Sequence, residues 1–412
     1  MSFTDLLVPG GHRAESVVGD AAILHALVRT ESAWVLAQAD AGFADAPSAV
    51  RIASVIESCL HDDLPEIAEG SEGGGNPVIG LVKALKSKVA EASPNGDDSG
   101  TALVHRGLTS QDVLDTALML VIRDSLGKTH AALCQAADDL SAMAEMHAET
   151  PMAARTLGQH ALPTTFGARV GRWLDAVAAA VWATDPGLLW LPVSGGGAAG
   201  TNAAVLDLMN LHDDESLNMP APDRLGLMWA QRLGLNGPAV EQVWHTRRRP
   251  MIDAVQPLAQ AATACGKIAG DIVISSRDEI AELAEPIAAG RGGSSSMPHK
   301  RNPSMSILIR RSAVVAARSM GALLESEALA VEERSELAWH LEWEPVRSVA
   351  QHGIVASTML SDLVSDLEVH ADAMNANLCL DGSDAPEKRN IGNSADQART
   401  AARRWKHAKE NQ

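Results

Sequence analysis

MIDAVQPLAQAATACGKIAGDIVISSRDEIAELAE (251–285) and SMSILIRRSAVVAARSMGALLESEALAVEER (304–334) are long stretches with apolar residues at helical spacing. The first holds one early proline, Pro257, and the second holds none, so neither has a strong internal stop. At 1.5 Å per residue the second spans about 45 Å. Helices of that length usually lie side by side in a bundle. Both are rich in small residues, such as Ala259, Ala261, Ala262 and Gly266 in one and Ser312, Ala313, Ala316 and Ala317 in the other. Small side chains let helix axes approach closely. The expectation is an all-α fold with a long-helix bundle at its centre, shared between subunits because its apolar faces would otherwise meet water.

The same periodicity extends outward. Phe166, Val170, Trp173, Leu174, Val177 and Val181 form one apolar helical face after Pro163. A helix over 110–126 starts at Thr109 or Ser110 as cap, with Asp112 in its first turn. Asp20 can cap another, with a stripe through Leu24, Leu27, Val28 and Val35. Strand signals are scarce. Breaks fall at 70–77, 93–100, 191–202 and 290–303, where Gly, Pro, Ser and Asn cluster, and the stretch after Leu380 is polar. These divide the chain into an N-terminal helical part (1–100), a central bundle (101–340) and a small C-terminal part (341–412).

The composition narrows the function. Of 412 residues, 34 are Lys or Arg and 52 Asp or Glu, for a net charge of −18, which makes nucleic acid and anionic membranes poor partners. Four cysteines, at 59, 134, 265 and 379, form no short-spaced pair, so a reducing, cytoplasmic setting without disulfides or a zinc site is expected. No apolar run is long enough for a membrane span, and the first residues lack a signal-peptide pattern. The chain contains no tyrosine, so any proton transfer falls to other groups.

Between the two long helices lies GRGGSSSMPHKRNP (290–303), in which glycines, three serines and two prolines precede His299, Lys300 and Arg301. Glycines permit unusual backbone angles, the serines supply hydroxyls, and the cations draw an anion. A serine becomes a base when an ammonium and backbone amides favour its alkoxide. A flexible linker is the bland alternative. Gly195, Gly197 and Gly200 form a GxGxxG pattern, but a dinucleotide fold needs alternating strands and helices, so a packing turn is expected there. His25, His130 and His147 occur singly without metal-ligand spacing, and His340, Glu342 and Glu344 read as structural.

GSSSMPHKRNP (293–303) resembles the signature loop of the fumarase/aspartase superfamily, and VHRGLTSQDVLDTAL (104–118) and RTLGQHALPTTFG (155–167) resemble two further segments of it, in the family's order. PGGHRAES (9–16), VWHT (243–246), EIAELAEPIAAGRGGSSS (279–296) and WHLEWEP (339–345) look most like the bacterial 3-carboxy-cis,cis-muconate cycloisomerase branch. The resemblance implies a helical homotetramer whose active sites draw the three segments from three subunits, with no cofactor and no metal. It implies Ser294 as the catalytic serine and Lys300 with Asn302 at a substrate carboxylate. Thr109, Ser110 and Gln111 match the carboxylate-binding turn, and Thr156 and Gln159 match substrate contacts. The implied activity is lactonisation of 3-carboxy-cis,cis-muconate through an aci-carboxylate. A C–N or C–O lyase releasing fumarate from a substituted succinate, in the manner of adenylosuccinate lyase, is the alternative, and a non-catalytic structural relative is a third reading.

Two departures from the family pattern stand out. Relatives that expel an amine or hydroxide carry a histidine where this chain has Leu157, which removes that proton donor and leaves His160 and His105 as substitutes. Arg247, Arg248 and Arg249 stand where the family usually reads QRDR after WHT.

Overall fold

The computed structural model describes residues 6–58, 64–93, 98–209, 221–235, 237–238, 243–286, 292, 300–378 and 390–410. Five helices come first: α1 (Glu15–Val18), α2 (Asp20–Asp40), α3 (Ala46–Glu57), α4 (Leu64–Gly74) and α5 (Pro77–Glu91). Then α6 (Ser110–Met146) runs 37 residues, about 55 Å, into a hairpin of β1 (Pro151–Thr156) and β2 (Gln159–Thr165) and on to α7 (Phe166–Thr184). β3 (Pro192–Val193), α8 (Ala203–Met209), α9 (Ala221–Leu233) and β4 (Gly237–Pro238) form a side layer. The remainder is α10 (Arg249–Ser275), β5 (Leu283–Ala284), α11 (Ser304–Ala328), α12 (Ala338–Ser365), β6 (Glu368–Val369), α13 (Ala371–Leu378) and α14 (Ser394–Glu410). Strands pair only in twos: β1 with β2 antiparallel, β3 with β4 parallel, β5 with β6 antiparallel.

The fold is the helical bundle that the sequence calls for. α11 lies on α10 and α12, and α12 in turn packs on α6 and α10. Close approach explains the small residues: a Cβ added to Gly266 would stand 2.5 Å from the Ala313 Cβ, and one on Gly353 would stand 3.2 Å from the Leu258 carbonyl. Leu258, Ala261, Ala262, Cys265 and Ile268 of α10 are fully buried, and burial pushes the Cys265 thiol up to about 12, so it stays protonated.

Two helices are shorter than their apolar patterns suggest. α10 stops at Ser275 rather than 285, and the chain turns through Ala281, held at φ 52, so that Leu283 and Ala284 can pair with Val369 and Glu368. α11 stops at Ala328 rather than near 334, before a turn with Glu332 at φ 54. The outward face of α11 carries Ile307, Val314 and Leu324, each more than half exposed in the single chain. We keep the three-part division of the chain as a proposal; its boundary near 340 lies inside α12.

His352 of α12 is buried against the Ser312 hydroxyl at 3.1 Å. Burial, with a smaller contribution from Arg311, lowers its pKa from 6.5 to about 4. The folded chain therefore favours the neutral ring. Its contribution to stability is complete above pH 6.5 and is lost as pH falls toward 4, on the order of 3 kcal/mol. His352→Gln is expected to flatten the decline of the thermal midpoint between pH 6.5 and 4.5. An unchanged slope would assign that decline to other groups.

Candidate active site

The first signature segment is built on the start of α6. Thr109 has extended backbone, and its amide donates to the Asp112 carboxylate at 2.9 Å in a capping box. Asp112 is wholly buried and also accepts from the Gly197 amide at 3.0 Å and meets His245 Nε2 at 2.7 Å. One acid thus ties the helix start to the glycine-rich loop and to the VWHT segment. The glycines at 197 and 200 serve this turn, with φ near 70°, and an added Cβ at Gly196 would strike Val243. Thr109 and Ser110 are half-buried at the positive end of a long helix dipole, where an anion is stabilised.

Gln111 takes a different place. Its side chain is buried, and Nε2 donates to the His245 carbonyl at 2.8 Å, so it braces the turn from behind. From α2, Glu31 accepts from the His105 amide at 3.1 Å and pairs with His105 Nδ1 at 2.6 Å, holding that residue at φ 59. Trp34 and Gln38 of the same face donate to the carbonyls of Arg106 and Leu103. The residues leading into Thr109 are therefore anchored to α2 by spacings of three and four.

Arg334 enters this site without having been singled out in the sequence. Its Nη1 donates to Thr109 Oγ1 at 2.7 Å and its Nη2 to the Gly197 carbonyl at 3.3 Å. It places a guanidinium beside the Thr109 hydroxyl at the start of α6. The only local signal was an arginine just beyond a helix end, which is too common to single out.

The arginine triplet after WHT divides by burial. Arg248 is buried and bonded to Asp115 at 2.8 Å and to both oxygens of Glu342, while Arg249 pairs with Asp253 on the surface and Arg247 is exposed. Glu342 is accordingly a core residue. Burial raises its pKa to about 7 against the pull of Arg248.

The second segment forms the hairpin tip. Leu157 and Gly158 turn the chain with φ 51 and 80, as a two-residue hairpin turn requires, and Thr156 faces Gln159 in register. Thr156, Leu157, Gln159 and His160 are all exposed in one chain, as is Leu162. In the third segment, Lys300 is exposed and Asn302 half-buried, the Asn302 amide donating to the Gly292 carbonyl at 2.9 Å. Ser294 lies outside the described residues.

A single chain does not assemble these groups. Thr109 stands at the start of α6 and the hairpin follows its end, about 55 Å away. Strands of six and seven residues, at most about 24 Å long, leave roughly 30 Å uncovered even if they fold straight back. The described residues of the third segment, 300–303, share the hairpin's end, because Arg301 donates to the Glu285 carbonyl and Arg155, next to Thr156, pairs with Glu282. Among the described residues, no three His, Cys, Asp or Glu side chains group as metal ligands, and no helix is long and apolar enough to cross a membrane.

Comparison with known proteins agrees with this architecture. A family model described as Lyase matches residues 76–318, more than half of the chain. The chain belongs to the fumarase/aspartase superfamily of lyases. It is 42% identical to the nitrosuccinate lyase of Streptomyces davaonensis over 93% of this chain and 78% of that protein. It is 35% identical to the 3-carboxy-cis,cis-muconate cycloisomerase of Bradyrhizobium diazoefficiens over 87% of this chain and 75% of that protein. The crystal structure of the 3-carboxy-cis,cis-muconate lactonizing enzyme from Pseudomonas putida matches the fold with a TM-score of 0.81 at 24% identity, covering 96% of this chain and 97% of that one. Superfamily members are tetramers with shared active sites, which fits the separation of the segments here.

Proposed function

We propose that this enzyme is a lyase of a succinate carrying an anionic leaving group, with nitrosuccinate as the substrate and nitrite and fumarate as the products. The observation that carries the reading is Leu157, an apolar side chain at the tip of the substrate-binding hairpin. A leaving amine or hydroxide needs a proton from that position, and leucine has none to give. Nitrite is the anion of a moderately strong acid and departs unprotonated. The 42% likeness to a nitrosuccinate lyase favours the same substrate.

Base catalysis at the carbon beside one carboxylate sends the electron pair into that carboxylate as an aci-form. The pair then returns to form the alkene, the C–N bond breaks, and its electrons leave with nitrite. Thr109, Ser110 and Arg334 supply donors and charge for one carboxylate, and Lys300 and Asn302 for the other, where negative charge grows. Ser294 takes the proton, by its match to the signature serine, and no cofactor is called for. The site is completed by a homotetramer, in which hairpin tips and α6 starts from different copies meet and Leu157, Leu162 and the outer face of α11 are covered.

Lactonisation of 3-carboxy-cis,cis-muconate is the second reading. It too needs no leaving-group acid, and the 35% relative favours it. The test is purified protein with nitrosuccinate, following nitrite colorimetrically and fumarate by absorbance, with 3-carboxy-cis,cis-muconate, adenylosuccinate and argininosuccinate in parallel. Nitrite and fumarate are expected in equal amounts. Loss of the muconate diene with no nitrite from nitrosuccinate would establish the cycloisomerase instead.

A further inference from the structure

In the segment EIAELAEP (279–286), the second and third of its three glutamates, Glu282 and Glu285, three residues apart, flank the two-residue strand β5 on either side. Side chains alternate along a strand, so residues at this odd spacing point to opposite sides. Glu282 is wholly buried. It accepts from Arg155 Nη1 at 2.8 Å and Nη2 at 2.7 Å, and from Asn377 Nδ2 of α13 at 2.9 Å. Arg155 directly precedes Thr156, so this two-pronged pair holds the base of the second signature segment.

Glu285 faces the third segment. The residue before α11 is Pro303, whose side chain offers no cap, and the Glu285 carboxylate accepts instead from the amides of Met305 at 3.0 Å and Ser306 at 2.7 Å. Arg301, between Lys300 and Asn302, donates to the Glu285 carbonyl at 2.7 Å and to both oxygens of Glu368 at 2.9 and 2.7 Å. Glu368 is itself paired with Ala284 in β6. Apart from the Asn377 bond, each of these side-chain bonds links a signature segment, or the helix start that follows one, to β6 or to a residue flanking β5.

We propose that Glu282, Glu285 and Glu368 are positioning residues that anchor the second and third signature segments, each for the site that it enters. They touch the segments through Arg155, Arg301 and the start of α11, and they act on the reaction through Lys300, Asn302, Thr156 and Gln159. The inference rests on these segments being parts of the lyase site but not on which substrate that site takes. Misplacement by about 1 Å is enough to slow a reaction on the order of 100-fold.

The test uses full-length Glu282→Asp, Glu285→Gln and Glu368→Gln. Glu282→Asp keeps the buried charge but shortens its reach, and Glu368 is in an exposed pair whose loss leaves the chain folded. Each is expected to lower kcat at least about tenfold with KM held within about twofold, the signature of an interaction felt in the transition state. Hydrogen exchange gives a readout free of substrate: Glu285→Gln is expected to speed exchange at the Met305 and Ser306 amides while the middle of α6 is unchanged. A kcat within twofold of the parent for both Glu282→Asp and Glu368→Gln overturns the proposal. If the parent enzyme leaves nitrosuccinate intact, the substrate reading fails while exchange still decides here, and unchanged protection at Met305 and Ser306 sinks the proposal.

Discussion

Arg248→Met is expected to remove about 3–5 kcal/mol of stability, the usual consequence of taking one partner from a buried ionic cluster. Arg248 is 2% exposed and its partners Asp115 and Glu342 are 0% and 1% exposed, so no water replaces the lost guanidinium. The same side chain also donates to the Trp244 carbonyl and lies 4.7 Å from the centroid of the Trp244 ring. Methionine fills much of the volume but leaves two carboxylates facing each other without a counter-charge. Trp339 Nε1 still donates to Asp115, which is too little to hold both acids ionised.

The pH dependence of that variant identifies the cause. Burial already raises the Glu342 pKa to about 7, and removing the guanidinium that pulls it down raises it further, so its protonated form favours folding. That stability is present at low pH and is lost as pH rises through the raised value. The deficit in thermal midpoint should therefore grow from pH 5 to pH 8. A deficit independent of pH would mean that lost packing, and not the stranded carboxylates, weakens the variant.

The start of α6 was legible because its signals are local: a hydroxyl cap, an acid three residues on, then an apolar face, and the capping box joins Thr109 to Asp112. The two long helices were legible by period but not by length. Ile280 and Leu283 continue the helical spacing beyond Ser275, and what ends α10 is the pairing of β5 with β6, some 85 residues further along. The hairpin was missed for a related reason. Its turn uses Leu157 at a position where glycine or asparagine would announce it, and its anchor, Arg155 to Glu282, spans 127 residues. The resemblance marks Thr109, Ser110 and Gln111 as one turn, whereas the inward turn of Gln111 toward His245 is a tertiary fact. Arg334 reaches Thr109 across 225 residues, a distance over which sequence pattern carries no information.

Arg334→Ala is expected to cost the enzyme about 10- to 150-fold in kcat/KM, the range for losing a charged hydrogen-bond partner in a site. Two effects combine. The Thr109 hydroxyl loses the donor that orients it, and the positive end of α6 loses a full charge beside the position proposed for a substrate carboxylate. Ground state and transition state both contain that carboxylate, so the loss should fall mainly on KM, and fumarate inhibition should weaken in parallel. This separates Arg334 from Glu282 and Glu368, whose variants are expected to move kcat. Arg334→Lys restores the charge but not the two-pronged reach to Thr109 and Gly197, and should recover only part of the affinity. The measurement is steady-state kinetics with nitrosuccinate and the inhibition constant of fumarate for all three proteins. KM and the fumarate constant both unchanged in Arg334→Ala would remove Arg334 from the binding site and leave it as a brace for the Gly197 loop.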